Sequence, residues 1–204
     1  MISVSGRTVV IVLLALLLTA MLSVAFAANP PRMRPYAGIG VVIFSNIGRV
    51  QSTELQLPMY EEPGLSRVGI LNNSRISGNE WVFGLYSATS PLIVSTRKGD
   101  WLRVFYDDAG REAWIEPQNK GQFQSWEHFL KMRPGHVLAG LPVQFYQLLQ
   151  KPGGKLLATM TPKLAFKIVK VEQGWGMVLT EQSQLGWLRW RDNDGRLTVG
   201  FGND

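Results

Sequence analysis

This chain has no cysteine, so its chemistry must come from carboxylates, two histidines and aromatic rings. A thiolate nucleophile, a disulfide framework and a cysteine-bound metal are excluded. His128 and His136 lie eight apart, with Pro134-Gly135 between them. Neither a His-x-x-x-His nor a His-Glu-x-x-His run occurs, so no metal site is expected. Asp107-Asp108 and Asp192-Asn193-Asp194 look like calcium ligands, but each is followed by a glycine at a hairpin position, and turn chemistry accounts for both. There is no Gly-rich phosphate loop after a strand and no Gly-x-Ser-x-Gly elbow. Glu112 and Glu116 alternate on one apolar run and could serve a carboxylate hydrolase, yet nothing else assembles around them. Asn72-Asn73-Ser74 matches a glycosylation acceptor and is read as coincidence. What remains is aromatic: seven Trp, nine Phe and five Tyr. The chain is expected to be no enzyme and to need no cofactor.

Short strands must position these rings. Ile39 to Phe44 is rich in β-branched residues, and Leu55-Gln56-Leu57 and Met59-Tyr60 follow. Ile93-Val94-Ser95 leads through Lys98-Gly99-Asp100 into Trp101-Leu102-Arg103-Val104-Phe105-Tyr106. That run has a period of two: Leu102, Val104 and Tyr106 share one face, and Trp101, Arg103 and Phe105 the other. Asp107 to Gly110 is a hairpin turn, Glu112 to Glu116 the returning strand, and Pro117 its stop. Ser125 to Lys131 predicts a short helix capped by Ser125, with Trp126, Phe129 and Leu130 on one face. Pro134-Gly135 ends it.

A second β-rich stretch, Val137 to Phe201, repeats the first in outline. Leu57 to Tyr60 is echoed by Leu141 to Tyr146. Gly99-Asp100-Trp101-Leu102-Arg103-Val104 is echoed by Gln173-Gly174-Trp175-Gly176-Met177-Val178, and Glu112-Ala113-Trp114-Ile115 by Leu185-Gly186-Trp187-Leu188. The spacing between the paired tryptophans is 13 residues in the first copy and 12 in the second. The same features in the same order make a divergent internal repeat.

The N-terminus reads as an export signal. Arg7 is followed by the apolar run Val9 to Leu18, and Ala25-Phe26-Ala27 offers a cleavage site. The rival is an uncleaved anchor, since Val9 to Ala27 is nearly long enough to span a bilayer. Either way the rest of the chain is expected outside the cytoplasm, in the periplasm or cell envelope, away from nucleic acid. Without residues 1–27 the chain carries 20 basic and 15 acidic side chains, a net +5 that favours anionic partners. Asn29 to Pro35, with three prolines, reads as an extended linker.

The repeated elements resemble the bacterial SH3-like (SH3b) family, whose mark is a turn, a Gly-x-Trp-x-x-Val strand, a hairpin and Gly-Trp before an aliphatic residue. Gly99 to Val104 with Ala113-Trp114-Ile115, and Gly174 to Val178 with Gly186-Trp187-Leu188, carry the likeness. Ala113 stands where the family usually has glycine. Leu57-Pro58-Met59-Tyr60 replaces a Leu-Asn-Val-Arg-type opening, and residues 67–90 make a longer connection than usual. The resemblance implies a mainly β fold of two tandem SH3-like barrels joined by a short helix. Its expected parts are a signal peptide at 1–27, a proline-rich lead-in at 28–38 and a first barrel at 39–117. A helical connector at 118–136 and a second barrel at 137–204 complete it.

By the same resemblance, Trp101 and Trp175 follow the loop that borders a ligand groove, and Tyr60 and Tyr146 come from the strand beside it. Aromatic faces on a rigid barrel suit peptide or glycan ligands. Glu61 and Glu62 beside Tyr60, and Glu172 ahead of Trp175, could pair with an amine. The candidate ligand-binding residues are therefore Tyr60, Glu61, Glu62, Trp101, Tyr146 and Trp175. The expected partner is a cell-wall stem peptide or an envelope protein, with membrane contact only through an uncleaved signal. The alternative is a structural unit whose barrels pack on each other or form a homodimer, the aromatics then serving as core.

Overall fold

Alternation of apolar and polar residues becomes strand after strand in the computed structural model, which describes residues 33–44, 55–72, 80–84, 91–107, 109–162 and 164–201. The expected export signal lies outside the described residues, as do Pro30, Pro31 and Asp108. Among the described residues, one antiparallel sheet holds seven strands. They are β1 (Gly40–Phe44), β2 (Gln56–Glu62), β3 (Leu65–Asn72), β4 (Leu92–Lys98), β5 (Trp101–Phe105), β6 (Glu112–Ile115) and β7 (Gly121–Ser125). A second sheet holds β8 (Pro134–Val137), β9 (Gln147–Leu149), β10 (Leu156–Thr159), β11 (Phe166–Glu172), β12 (Trp175–Thr180), β13 (Leu185–Arg189) and β14 (Val199–Gly200). The protein is mainly β.

The strand orders are β3-β2-β6-β5-β4-β1-β7 and β10-β9-β13-β12-β11-β8-β14, the same order in each repeat. Registers agree too. Arg103 opposes Trp114 as Met177 opposes Trp187. Irregularities fall at matching places, between Val94 and Thr96 on β4 and between Ile168 and Lys170 on β11. A one-residue slip would turn each strand's apolar set outward, so shared registers and shared irregularities mean a shared inner face.

That face fills as the period of two requires. Leu102 and Val104 are buried while Trp101, Arg103 and Phe105 are not; Gly176 and Val178 repeat the pattern. Val42, Phe44, Leu57, Met59, Val94, Leu102, Val104 and Ile115 belong to a core made wholly within the first repeat. A larger core crosses between the repeats. Ala37, Val41 and Ile93 join Leu148, Ile168, Val178 and Leu188 there. Because Val41 and Val42 face different cores, β1 is buried on both sides, which explains its unbroken apolar run. Contacts gather Met33–Asp204 into one compact unit.

The helix falls where expected. Helix α1 (Trp126–Lys131) is capped by Ser125, whose hydroxyl accepts from the His128 amide at 3.4 Å. Trp126, Phe129 and Leu130 are buried in the shared core. The rest of 118–136, read as a helical connector, is different. Gly121–Ser125 is an edge strand of the first sheet, and Pro134–Val137 opens the second. Gln122 and Gln124 hid β7, because a half-exposed edge strand needs no apolar alternation.

Residues 67–90 are also more than a loop. Their start continues β3, and a short helical turn at Glu80–Phe83 reaches the second repeat. Phe83 packs on Phe129 and Phe201, and the Phe201 amide donates to the Val82 carbonyl at 2.6 Å. Asn73 to Asn79 lies outside the described residues.

The lead-in also gains a role. Met33 to Ala37 forms neither helix nor sheet strand, as Pro35 favours, but it is strapped to the far end of the chain, with Tyr36 bridged to Arg196. The Leu197 amide donates to the Pro35 carbonyl at 3.0 Å, and the Ala37 amide to Gly195 at 2.8 Å. Arg34 pairs with the carboxylate of Asp192 at 2.5 Å. The other Asp192 oxygen accepts from the amides of Asp194 and Arg196, at 3.0 and 2.9 Å. Burial pushes the Asp192 carboxyl up, but the Arg196 amide and Arg34 outweigh it and hold it below the usual aspartate range. The stabilisation is therefore present above about pH 4 and lost as pH falls through the lowered value. Arg34→Gln is expected to cost about 2 kcal/mol at pH 7. Its melting temperature should also fall less than the wild type's between pH 7 and pH 3. Equal melting temperatures at pH 7 would remove the ion pair from the account.

Candidate functional site

Trp101 opens β5 after a tight turn in which Gly99 has φ +60°, a conformation open to glycine at little cost. Tyr60 lies on β2 opposite the buried Trp114 of β6. The two half-exposed rings meet edge to face, 5.5 Å between centroids and 85° between planes. A Cβ added at Gly64 would sit 3.8 Å from the Trp101 ring, so the β2–β3 hairpin tip borders the indole. Glu61 and Glu62 are exposed on the same strand and have no ion-pair partner among the described residues. Three of the six candidate residues, Tyr60, Glu61 and Glu62, thus lie on one hairpin strand, and Trp101 on β5 meets that hairpin at Tyr60 and Gly64.

The second repeat does not reproduce this. Leu149 opposes Trp187 as Tyr60 opposes Trp114, so Leu149 stands in the place of Tyr60. Tyr146, matched to Tyr60 by sequence, sits three residues earlier in a 3-10 turn (Val143–Tyr146). Its hydroxyl donates to the Leu138 carbonyl at 2.9 Å and accepts from the Leu141 amide at 3.0 Å. It is a clamp on that loop. Trp175 keeps the position of Trp101, but Arg189, directly opposite on β13, lays its guanidinium 4.7 Å from the ring centroid. Glu172 pairs with Lys170 at 2.5 Å. The turn itself is kept: Gln173, at the position of Gly99, also takes the left-handed conformation, at φ +50°.

The remaining candidates for chemistry are occupied or dispersed. Glu112 pairs with Arg103 at 3.1 Å. Asp107 receives the Arg111 amide at 3.0 Å and pairs with its guanidinium, which offsets the upward push of burial and lowers its pKa. Among the described residues no cluster of three His, Cys, Asp or Glu side chains could hold a metal ion. Trp114 is buried, and Trp187 is half-buried under Lys170, with 6.0 Å from ammonium to ring centroid.

Sequence reasoning missed Trp190 and the arginines around it. Trp190 is buried, 5.5 Å from Trp126, and its Nε1 donates to the Gln173 carbonyl at 2.9 Å. The pattern Trp187-Leu188-Arg189-Trp190-Arg191 held the signal, two rings and two cations that a strand and its exit turn must place. Compared with known proteins, the chain matches no family model, no curated protein and no solved structure.

Proposed function

We propose that the two sheets are tandem bacterial SH3-like barrels, exported to the cell envelope, and that the first is a non-enzymatic binding module. Its ligand is an extended peptide with a free amine, such as a peptidoglycan stem or a segment of an envelope protein. The observation that carries this is the half-exposed Tyr60–Trp101 pair, with Glu61 and Glu62 following Tyr60 on β2 and having no ion-pair partner among the described residues. Rings held edge to face lose little freedom on binding, and a ligand ammonium finds both a ring face and an anion. The second repeat serves the fold, its Trp175 face being taken by Arg189.

Binding to purified sacculi tests the reading. Trp101→Ala and Tyr60→Ala are each expected to weaken binding about 30-fold, the effect of a central aromatic contact, and Trp175→Ala less than threefold. Unchanged binding in both Trp101→Ala and Tyr60→Ala, or no binding of the wild type, would remove the site. The structural alternative rests on different rings. Packing between the repeats uses Phe83, Trp126, Phe129, Trp190 and Phe201; of the six candidate residues, Tyr146 also packs against that shared core.

A further inference from the structure

The chain's positive charge is unevenly divided. Residues 40–125 carry eight Lys and Arg against nine Asp and Glu, whereas residues 134–201 carry eight against four. Part of that excess is organised. Arg189, Arg191 and Arg196 lie on the last hairpin, closed by the Arg191–Leu197 bridge, and Arg34 comes to it on the strap. Each guanidinium lies over an aromatic ring. The centroid distances are 4.7 Å for Arg189 on Trp175, 4.9 Å for Arg191 on Trp190, 4.0 Å for Arg196 on Tyr36 and 6.0 Å for Arg34 on Phe145. Stacking engages the guanidinium face; Arg189 gives one edge N–H to Asn193 Oδ1, Arg196 gives two to the Arg34 carbonyl and the Tyr36 hydroxyl, and the remaining edge N–H groups are left for oxygen.

Asp192 and Asp194 share the hairpin, but Asp192 is committed to Arg34 and to two amides. Arg189, Arg191 and Arg196 have no carboxylate partner among the described residues. Apolar side chains stand exposed along the same strap: Met33 at 77%, and Tyr36 and Ile39 at 45% each.

We infer that this face docks on an anionic lipid surface, the arginines on headgroup phosphates and the strap's apolar side chains at the level of the headgroups. Several cations near such a surface add their attraction to phosphate, and aromatic and apolar residues beside them enter the interface. A hydrophilic wall polymer would make no use of Met33 and Ile39. Chain length agrees. Only residues 28–32 separate the strap from the apolar run ending at Ala27, a reach of at most about 18 Å. Where that apolar segment is kept as an anchor, the strap thus emerges beside the bilayer. This contact does not depend on the peptide site of the first repeat.

The test uses the exported chain with its natural N-terminus and two kinds of vesicle, phosphatidylglycerol-rich and pure phosphatidylcholine. Binding to the anionic vesicles is expected to be at least about tenfold tighter. Joint Arg189→Gln and Arg191→Gln substitution should weaken it about 30-fold and leave binding to phosphatidylcholine unchanged. Joint Lys151→Gln and Lys155→Gln substitution, on the turn between β9 and β10, should weaken it less than threefold. Equal affinity for both vesicles, or equal loss in both double variants, overturns the inference. So does retention on phosphate-bearing wall polymer without any preference for the anionic vesicles. If the arginine pair variant fails to fold, raising NaCl from about 0.1 to about 0.5 M with the wild type replaces it. Loss of the preference then supports the inference, and its persistence overturns it.

Discussion

Trp126→Ala is expected to cost about 4 kcal/mol, the largest loss from any single ring in the protein. The ring is 5% exposed. Its Nε1 donates to the Ala37 carbonyl at 2.6 Å, and its faces and edges meet Phe129 and Trp190 at 5.7 and 5.5 Å. It stands where strap, helix and second sheet converge. Alanine there opens a cavity in the shared core and leaves a buried carbonyl without its donor. Denaturant unfolding followed by two probes should show more than the loss of midpoint. The first repeat keeps its own core around Phe44, Met59 and Val104, so the single transition should separate into two. A loss below about 1 kcal/mol with coincident probes would mean that the repeats are coupled elsewhere.

Gly38→Ala is expected to cost about 3 kcal/mol although it adds one methyl group. Gly38 has φ +59°, and a Cβ there would strike the Val94 carbonyl oxygen and lie 2.9 Å from its carbon. Those atoms cannot swing aside, because the same oxygen accepts the Ile39 amide at 2.8 Å and β4 is paired on both edges. Gly110→Ala is the control. Its φ is +73°, but nothing lies within 4 Å of the added carbon, so only the left-handed conformation is penalised, by about 1 kcal/mol. Unfolding free energies of the two variants measure the difference. Matching losses would show that contact with Val94 contributes nothing.

The parts legible in the sequence were those fixed by local period and turn chemistry. Leu102, Val104 and the Asp107–Gly110 turn announced the first tryptophan hairpin, and Val178 with Gly186-Trp187 the second. Ser125 and the spacing of Trp126, Phe129 and Leu130 announced the helix. The proximity of Tyr60 and Trp101 was anticipated only through a family likeness, and their contact depends on how β2 lies against β6. What stayed hidden was set by distant partners. Strand β7 is polar enough to pass for a linker. The strap's bonds are made to residues about 160 positions away. The equivalence of Tyr60 with Leu149 rests on pairing with Trp114 and Trp187, whereas the sequence offered a tyrosine three residues off. Ala113 of the first copy stands opposite Gly186 in the repeat alignment, and the difference has a local reason in the second copy. At Gly186 a Cβ would lie 2.6 Å from the Leu148 side chain, so the second repeat has room for nothing larger.

The strap and the last hairpin are joined across 158 residues. Loop closure over such a span brings a late entropic cost, and folds dominated by distant contacts form slowly. During synthesis the first repeat can complete its private core only once β7 has emerged through Ser125, because Phe123 packs on that core. The strap, made earlier, must wait for Arg196. A chain halted before Arg189 would thus carry one finished lobe and one that cannot close, with the Trp126 and Phe129 rings uncovered and open to aggregation.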